Sequence, residues 1–174
     1  MKIMRALSIC ICVAGGILAG SPGVLADDCT PASEAAVAQA KVPHAVTHVM
    51  TVPGKSPVTM EMIFLGDKAY MRTNGKWASM PYSVREQIDT ITTSRERAEK
   101  TAHTCQKLAG QSIDGQAASL FIVKGETNGK TSEARMWISD ASGLPLKTEI
   151  HLGSGPDVTD EFRYANIQAP PDIK

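Results

Sequence analysis

From His44 onward the apolar residues recur at every second position, in runs cut by two-residue turn signals, and this restricts the chain to an antiparallel sheet. Between His44 and Val52, the residues Val46, His48, Met50 and Val52 fall on one side. Between Val58 and Leu65, Val58, Met60, Met62 and Phe64 do the same. Lys68 to Thr73 and Lys76 to Met80 flank Asn74-Gly75, a pair suited to the positive φ angles of a tight hairpin. Further strands are expected over His103–Ala109, Ala117–Lys124, Thr131–Ser139, Leu146–Leu152 and Asp157–Ile167. Gly110, Asp114-Gly115, Asn128-Gly129, Gly143 with Pro145, and Gly153-Ser154-Gly155-Pro156 punctuate them, and Ala169-Pro170-Pro171 closes the domain.

Two segments break the alternation. Thr30-Pro31 reads as an N-cap followed by proline at the first helical position, and Ser33 to Lys41 is rich in helix-forming Ala, Glu and Gln before Pro43 stops it. Ser83 to Arg95 carries Ile88 and Ile91 at helical spacing. About nine strands joined by short turns force antiparallel neighbours. No strand–helix–strand repeat points to a doubly wound fold. The fold class expected is mainly β (α+β), a strongly curved antiparallel sheet or incomplete β-barrel with one or two helices.

The first 26 residues form a separate unit. Lys2 and Arg5 precede an uncharged apolar run, Gly20 to Gly23 break it, and Val24-Leu25-Ala26 offers small residues at the −3 and −1 positions. This predicts a signal peptide over 1–26, cleaved after Ala26, and export to the periplasm of a bacterium. The run is too short for a transmembrane anchor, which needs about 20 apolar residues. No cysteine stands where a lipid anchor would be attached. A single domain over 27–174 then remains, 148 residues with 16 basic and 18 acidic side chains. That mildly acidic, unclustered charge argues against nucleic-acid binding. Loss of Cys10 and Cys12 leaves Cys29 and Cys105. In an oxidising compartment they form one disulfide most simply, with two free thiols or a redox role as alternatives.

The chemistry-bearing residues form no recognisable constellation. His44 and His48 share a strand face but lie about 13 Å apart along it, too far to ligate one ion. No His-Glu-x-x-His or Cys-x-x-Cys motif is present, so neither a metal nor another cofactor is expected. There is no Gly-x-Ser-x-Gly elbow and no phosphate-cradling loop. Asp160 and Glu161 are sequence neighbours and point to opposite faces of a strand. The chain is therefore not expected to be an enzyme.

What stands out is methionine. Met50, Met60, Met62, Met71, Met80 and Met136 remain after cleavage, and methionine lines adaptable apolar surfaces as well as filling cores. Trp77 and Trp137 are read either as core residues or as lining for a cavity mouth. The candidate ligand-binding set is Met50, Met60, Met62, Phe64, Met71, Trp77, Phe121 and Trp137.

Several segments resemble the periplasmic lipoprotein-carrier, or LolA-like, superfamily. They are Met136-Trp137-Ile138-Ser139 followed by Gly143-Leu144-Pro145-Leu146-Lys147-Thr148-Glu149, the ending Phe162-Arg163-Tyr164-Ala165-Asn166-Ile167 before prolines, and Ile113-Asp114-Gly115-Gln116. The resemblance implies an unclosed barrel whose concave face is covered by helices, here the segments before His44 and after Pro81. It also implies a space that accepts an acyl chain, a lipid or a lipid-bearing protein, in a monomeric carrier or chaperone. Relatives of this architecture also serve in envelope-stress sensing. The alternative is thus an envelope protein-interaction module without a cavity, its contact surface on the helix near Glu86 to Lys100.

Overall fold

The structure is a computed structural model that describes residues 29–99, 103–127, 130–153, 155–171 and 173. The expected signal peptide, the Asn128-Gly129 turn and Ser154 lie outside the described residues. The chain runs α1 (Thr30–Ala40), β1 (His44–Thr51), β2 (Val58–Leu65), β3 (Lys68–Thr73), β4 (Lys76–Met80), α2 (Val84–Glu99), β5 (His103–Ile113), β6 (Gln116–Thr127), β7 (Lys130–Ser139), β8 (Pro145–His151) and β9 (Asp157–Arg163). All nine strands join one sheet in the order β4-β3-β2-β1-β9-β8-β7-β6-β5, and every pairing is antiparallel. The sheet is curved and unclosed, an incomplete half-barrel with two helices.

Two meanders build it. β1 to β4 form one and β5 to β9 the other, and β1 pairs with β9 to splice them, from Ala45↔Arg163 to Thr51↔Asp157. β4 and β5 are left as the two edges, and α2 carries the chain from one to the other. The turn chemistry works as the sequence implies. Asn74 and Gly75 both have positive φ, 52° and 77°, which matches a two-residue hairpin to the strand twist.

Several boundaries differ from the sequence expectation. Gly110, with φ 74°, does not end β5; the register shifts between Leu108 and Gln111, so the glycine makes a bulge inside a longer strand. β9 stops at Arg163 rather than Ile167. α2 runs on to Glu99, because nothing between Arg95 and Glu99 breaks a helix. Cys29, not Thr30, occupies the N-cap of α1, without a side-chain hydrogen bond; Pro31 sits in the first turn, where its missing N–H is harmless.

The core lies between α1 and the far half of the sheet. Ala32 and Ala35 of α1 are buried against Cys105, Phe121 and Ile138, with Cys29, Val123 and Met136 at the margin. Small side chains on that stripe let the helix axis approach the strands closely. α1 packs on β7 and β8 and on α2, whereas α2 makes its extensive contact with α1 alone. Its apolar stripe, Val84, Ile88 and Ile91, is too narrow to cover a sheet as well.

Cys29 and Cys105 form a disulfide that ties the start of α1 to edge strand β5 across a sequence separation of 76. A loop of that length contributes about 4 kcal/mol in the chain-entropy account. Cys29→Ser/Cys105→Ser should therefore lower the unfolding free energy by about that amount, read from urea titrations with each chain's own m-value, which should rise as the unfolded chain loses its cross-link. A loss under about 1 kcal/mol would show that the unfolded chain is not restrained by the bond.

Candidate functional site: the inner face of the trough

Residues directly opposite each other in neighbouring strands share a face, so the registers sort the whole sheet. The face that carries α1 is the inner one. One row crosses it as Phe121, Met136, Thr148, Asp160, His48 and Met60. The next, to one side, holds Ile150, Val158, Met50 and Val58. To the other side lie Phe162, Val46, Met62, Met71 and Ala78, then His44, Phe64, Ala69 and Met80. Met50, Met60, Met62, Met71 and Phe64 thus lie on neighbouring strands of one face, and all five are only half-buried. Phe121 shares the face but is sealed beneath α1, with the Lys107 ammonium 5.5 Å from its ring centre.

Trp77 and Trp137 are placed elsewhere. A single row runs Leu120, Trp137, Lys147, Glu161, Thr47, Glu61, Arg72 and Trp77, on the outer face. Trp137 lies under the Lys147 ammonium, 5.5 Å from the ring centre. The outer face is charged: Glu133 meets Lys124 at 3.0 Å and Arg135 at 2.7 Å, and Arg72 meets Glu61 at 3.1 Å. Hydrogen bonds from Lys124 and then Arg135 hold the Glu133 carboxyl below the usual carboxylate range.

Polar groups interrupt the inner face at two places. At its centre the His48 ring and the Asp160 carboxylate meet at 2.7 Å, and the Thr148 hydroxyl donates to the other carboxylate oxygen at 3.4 Å. Glu161 points outward, as adjacency in a strand requires. At the end nearest α1, His44 stacks on Phe64 with ring centres 4.6 Å apart, and Phe64 lies 4.9 Å from the Tyr82 ring. The Tyr164 hydroxyl donates to the Pro145 carbonyl, and burial pushes its phenol pKa up. Burial, foremost, and a negative Asp67 nearby also raise Tyr82. Among the described residues no group of three His, Cys, Asp or Glu converges in a way that would hold a metal ion. Among them, no helix is long and apolar enough to cross a membrane.

The lid over this face is loosely fitted. Between α1 and α2 a cleft of ≈ 590 Å³ opens, bounded by Val37, Ala38, Val42, Ile91 and Thr92 among others. Between the helices and the sheet a smaller cavity of ≈ 170 Å³ lies over His44, Phe64 and Met80.

The described residues thus form an incomplete half-barrel with a helical lid over an apolar inner face. Compared with solved structures, the chain is similar to the lipoprotein LppX from Mycobacterium tuberculosis, with 15% identity, 82% of this chain and 97% of that one covered, and a TM-score of 0.47. It is similar to a LolA superfamily protein from Nitrosomonas europaea, with 12% identity, coverages of 82% and 92%, and a TM-score of 0.29. It is also similar to the Pseudomonas aeruginosa MucA/MucB complex structure, with 14% identity and a TM-score of 0.45, covering 80% of this chain and 58% of that one. No protein-family model and no curated protein sequence matches the chain.

Burial holds the His44 imidazole below its ordinary value, against a weaker raising effect of the Val42 carbonyl. The folded pKa is then lower than the unfolded one, so His44 costs the fold nothing above the unfolded value of 6.5. Stability should fall as the pH drops below 6.5, until the folded ring protonates too. Urea titrations at pH 7.5 and 5.5 should show this loss. His44→Phe should reduce the difference, and an unchanged difference would rule His44 out as its source.

Proposed function

We propose that the chain is an exported periplasmic carrier or chaperone for a lipid, an acyl chain or a lipid-bearing protein, acting as a monomer and without catalysis. The observation that carries this reading is the half-buried methionine floor. Met50, Met60, Met62 and Met71 sit half-buried on the covered side of the sheet, and among the described residues neither helix makes an extensive contact with β1, β2 or β3. Apolar side chains left half-exposed on a concave face mark a surface that binds something apolar. Methionine suits a guest of variable shape, since its unbranched thioether repacks cheaply. Phe64 adds an apolar end wall.

The ligand-binding set proposed is Met50, Met60, Met62, Met71 and Phe64. Phe121 contributes to the wall under α1 rather than to the free surface. Trp77 and Trp137 are left out because they lie on the other face. The processed protein is proposed to comprise residues 27–174, with the Cys29–Cys105 bond suited to an oxidising compartment.

The disulfide-bonded protein should bind N-phenyl-1-naphthylamine with a rise in fluorescence, and long-chain lipids should displace it. Met62→Gln/Met71→Gln should weaken lipid binding at least about tenfold by making the floor polar. Met136→Gln, beside the α1 core, tests whether any loss of packing has the same effect. If no lipid displaces the probe while envelope proteins are retained on the immobilised chain, the protein-interaction reading takes precedence.

A further inference from the structure

We propose that the middle of the inner face is a site for a soft monovalent cation, copper(I), held by the His48 imidazole and the thioethers of Met60, Met62 and Met50. The proposal goes beyond the lipid-binding reading and does not rest on it. All four residues are half-buried on one face of β1 and β2. Met60 stands directly opposite His48 in the β1–β2 register, which sets their Cβ atoms about 5 Å apart. Met62 is the diagonal neighbour of His48, about 7 Å away. Met50 lies two residues along β1, also about 7 Å away. Methionine is unbranched and turns about three side-chain bonds, so three thioethers at this spacing can lean over one imidazole.

The imidazole is held as a metal ligand is held. Its Nδ1 meets the Asp160 carboxylate at 2.7 Å. A carboxylate only accepts, so in the neutral ring the proton sits on Nδ1 and Nε2 carries the lone pair. The two ring nitrogens point in nearly opposite directions, so Nε2 is turned away from β9, to the side of β2 and its methionines. Among the described residues nothing hydrogen-bonds Nε2. The Thr148 hydroxyl steadies the other oxygen of Asp160 at 3.4 Å. A carboxylate behind the far nitrogen is the usual support of a ligating histidine, fixing both tautomer and ring orientation.

Charge and donor type select the ion. The Asp160 side chain is only 21% exposed. Beside it on the inner face stand Thr148, His48, Val158 and Phe162, and among the described residues no Lys or Arg pairs with it. One positive charge at His48 supplies the counter-charge that a half-buried carboxylate lacks. Among those residues no three His, Cys, Asp or Glu converge, so zinc has no seat. Thioethers are soft donors, and they suit copper(I). The thiols of Cys29 and Cys105 are consumed in their disulfide. A thioether forms no disulfide, so methionine stays available as a soft ligand where thiols do not.

The test titrates the disulfide-bonded protein with copper(I) under ascorbate, with bicinchoninate as the competing chelator. One copper per chain should transfer to the protein. Its K-edge absorption spectrum should show an imidazole nitrogen and at least two sulfurs. Met60→Leu/Met62→Leu removes two sulfurs and keeps the floor apolar, and should weaken copper binding at least about tenfold. His48→Phe should remove the nitrogen from the spectrum. Met136→Leu, about 14 Å from His48 on the same face, should leave the affinity unchanged. The proposal is overturned if the chain takes no copper from bicinchoninate, or if the spectrum holds only nitrogen and oxygen. It is equally overturned if the double leucine variant binds as tightly as the unmodified chain, or if Met136→Leu loses as much. The spectrum needs no variant, so it decides the matter even if a substituted chain does not fold. Displacement of N-phenyl-1-naphthylamine by lipids is read separately, so failure to bind copper leaves the carrier reading standing.

Discussion

The pairing of β1 with β9 holds the architecture together. It joins the first strand to the last, bringing His48 against Asp160 across 112 positions of sequence. Each meander on its own is a run of hairpins, stable only if its apolar face is covered. Splicing them makes one sheet wide enough to curl, and the curl gives the chain an inside. α1 immediately precedes β1, so the splice also hangs the helix over that inside. Closing so long a loop costs entropy that grows only slowly with length, but the contacts come late, because they reward the chain only once both meanders exist.

Local structure was legible because the turns are written in residue chemistry. Asn74-Gly75 and Asp114-Gly115 adopt the positive φ angles that their types permit, and β2, β3 and β4 begin and end where alternation and turn signals put them. What could not be read is which parity faces inward in each strand. Alternation within β4 places Trp77 on one side, but whether that side meets Met71 or Arg72 depends on the β3–β4 register. A slip of one residue there would have put Trp77 inside. Gly110 shows the same limit: a glycine that reads as a turn becomes a bulge once the partner strand runs past it.

The candidate site was half legible for a related reason. Met60, Met62 and Phe64 stand at alternate positions of one strand, so their common face follows from sequence, and the β1–β2 register brings Met50 to it. Met71 joins them through the next hairpin. The polar groups left no such trace. Asp160 reads as half of an acidic pair, and only the β1–β9 register turns it toward His48 and away from Glu161.

The two halves of the trough are built to different ends. Over β5 to β8, Ala32 and Ala35 bring α1 down onto Phe121 and Ile138, and the disulfide fixes the helix start to β5. That half is packed as a core. Over β1 to β3 the inner side chains are longer and more flexible, the covering helix is α2, and α2 leans on α1 instead of on the sheet. Because the covalent strap and the alanine stripe hold α1 from the packed side, the open side does not need to be filled for the lid to stay in place. On the proposed carrier reading, a trough that collapsed when empty would have to be rebuilt at each binding event, at an entropic cost taken from the affinity. Anchoring the lid at one side avoids that cost, and leaves the methionine floor as the part of the fold that adjusts.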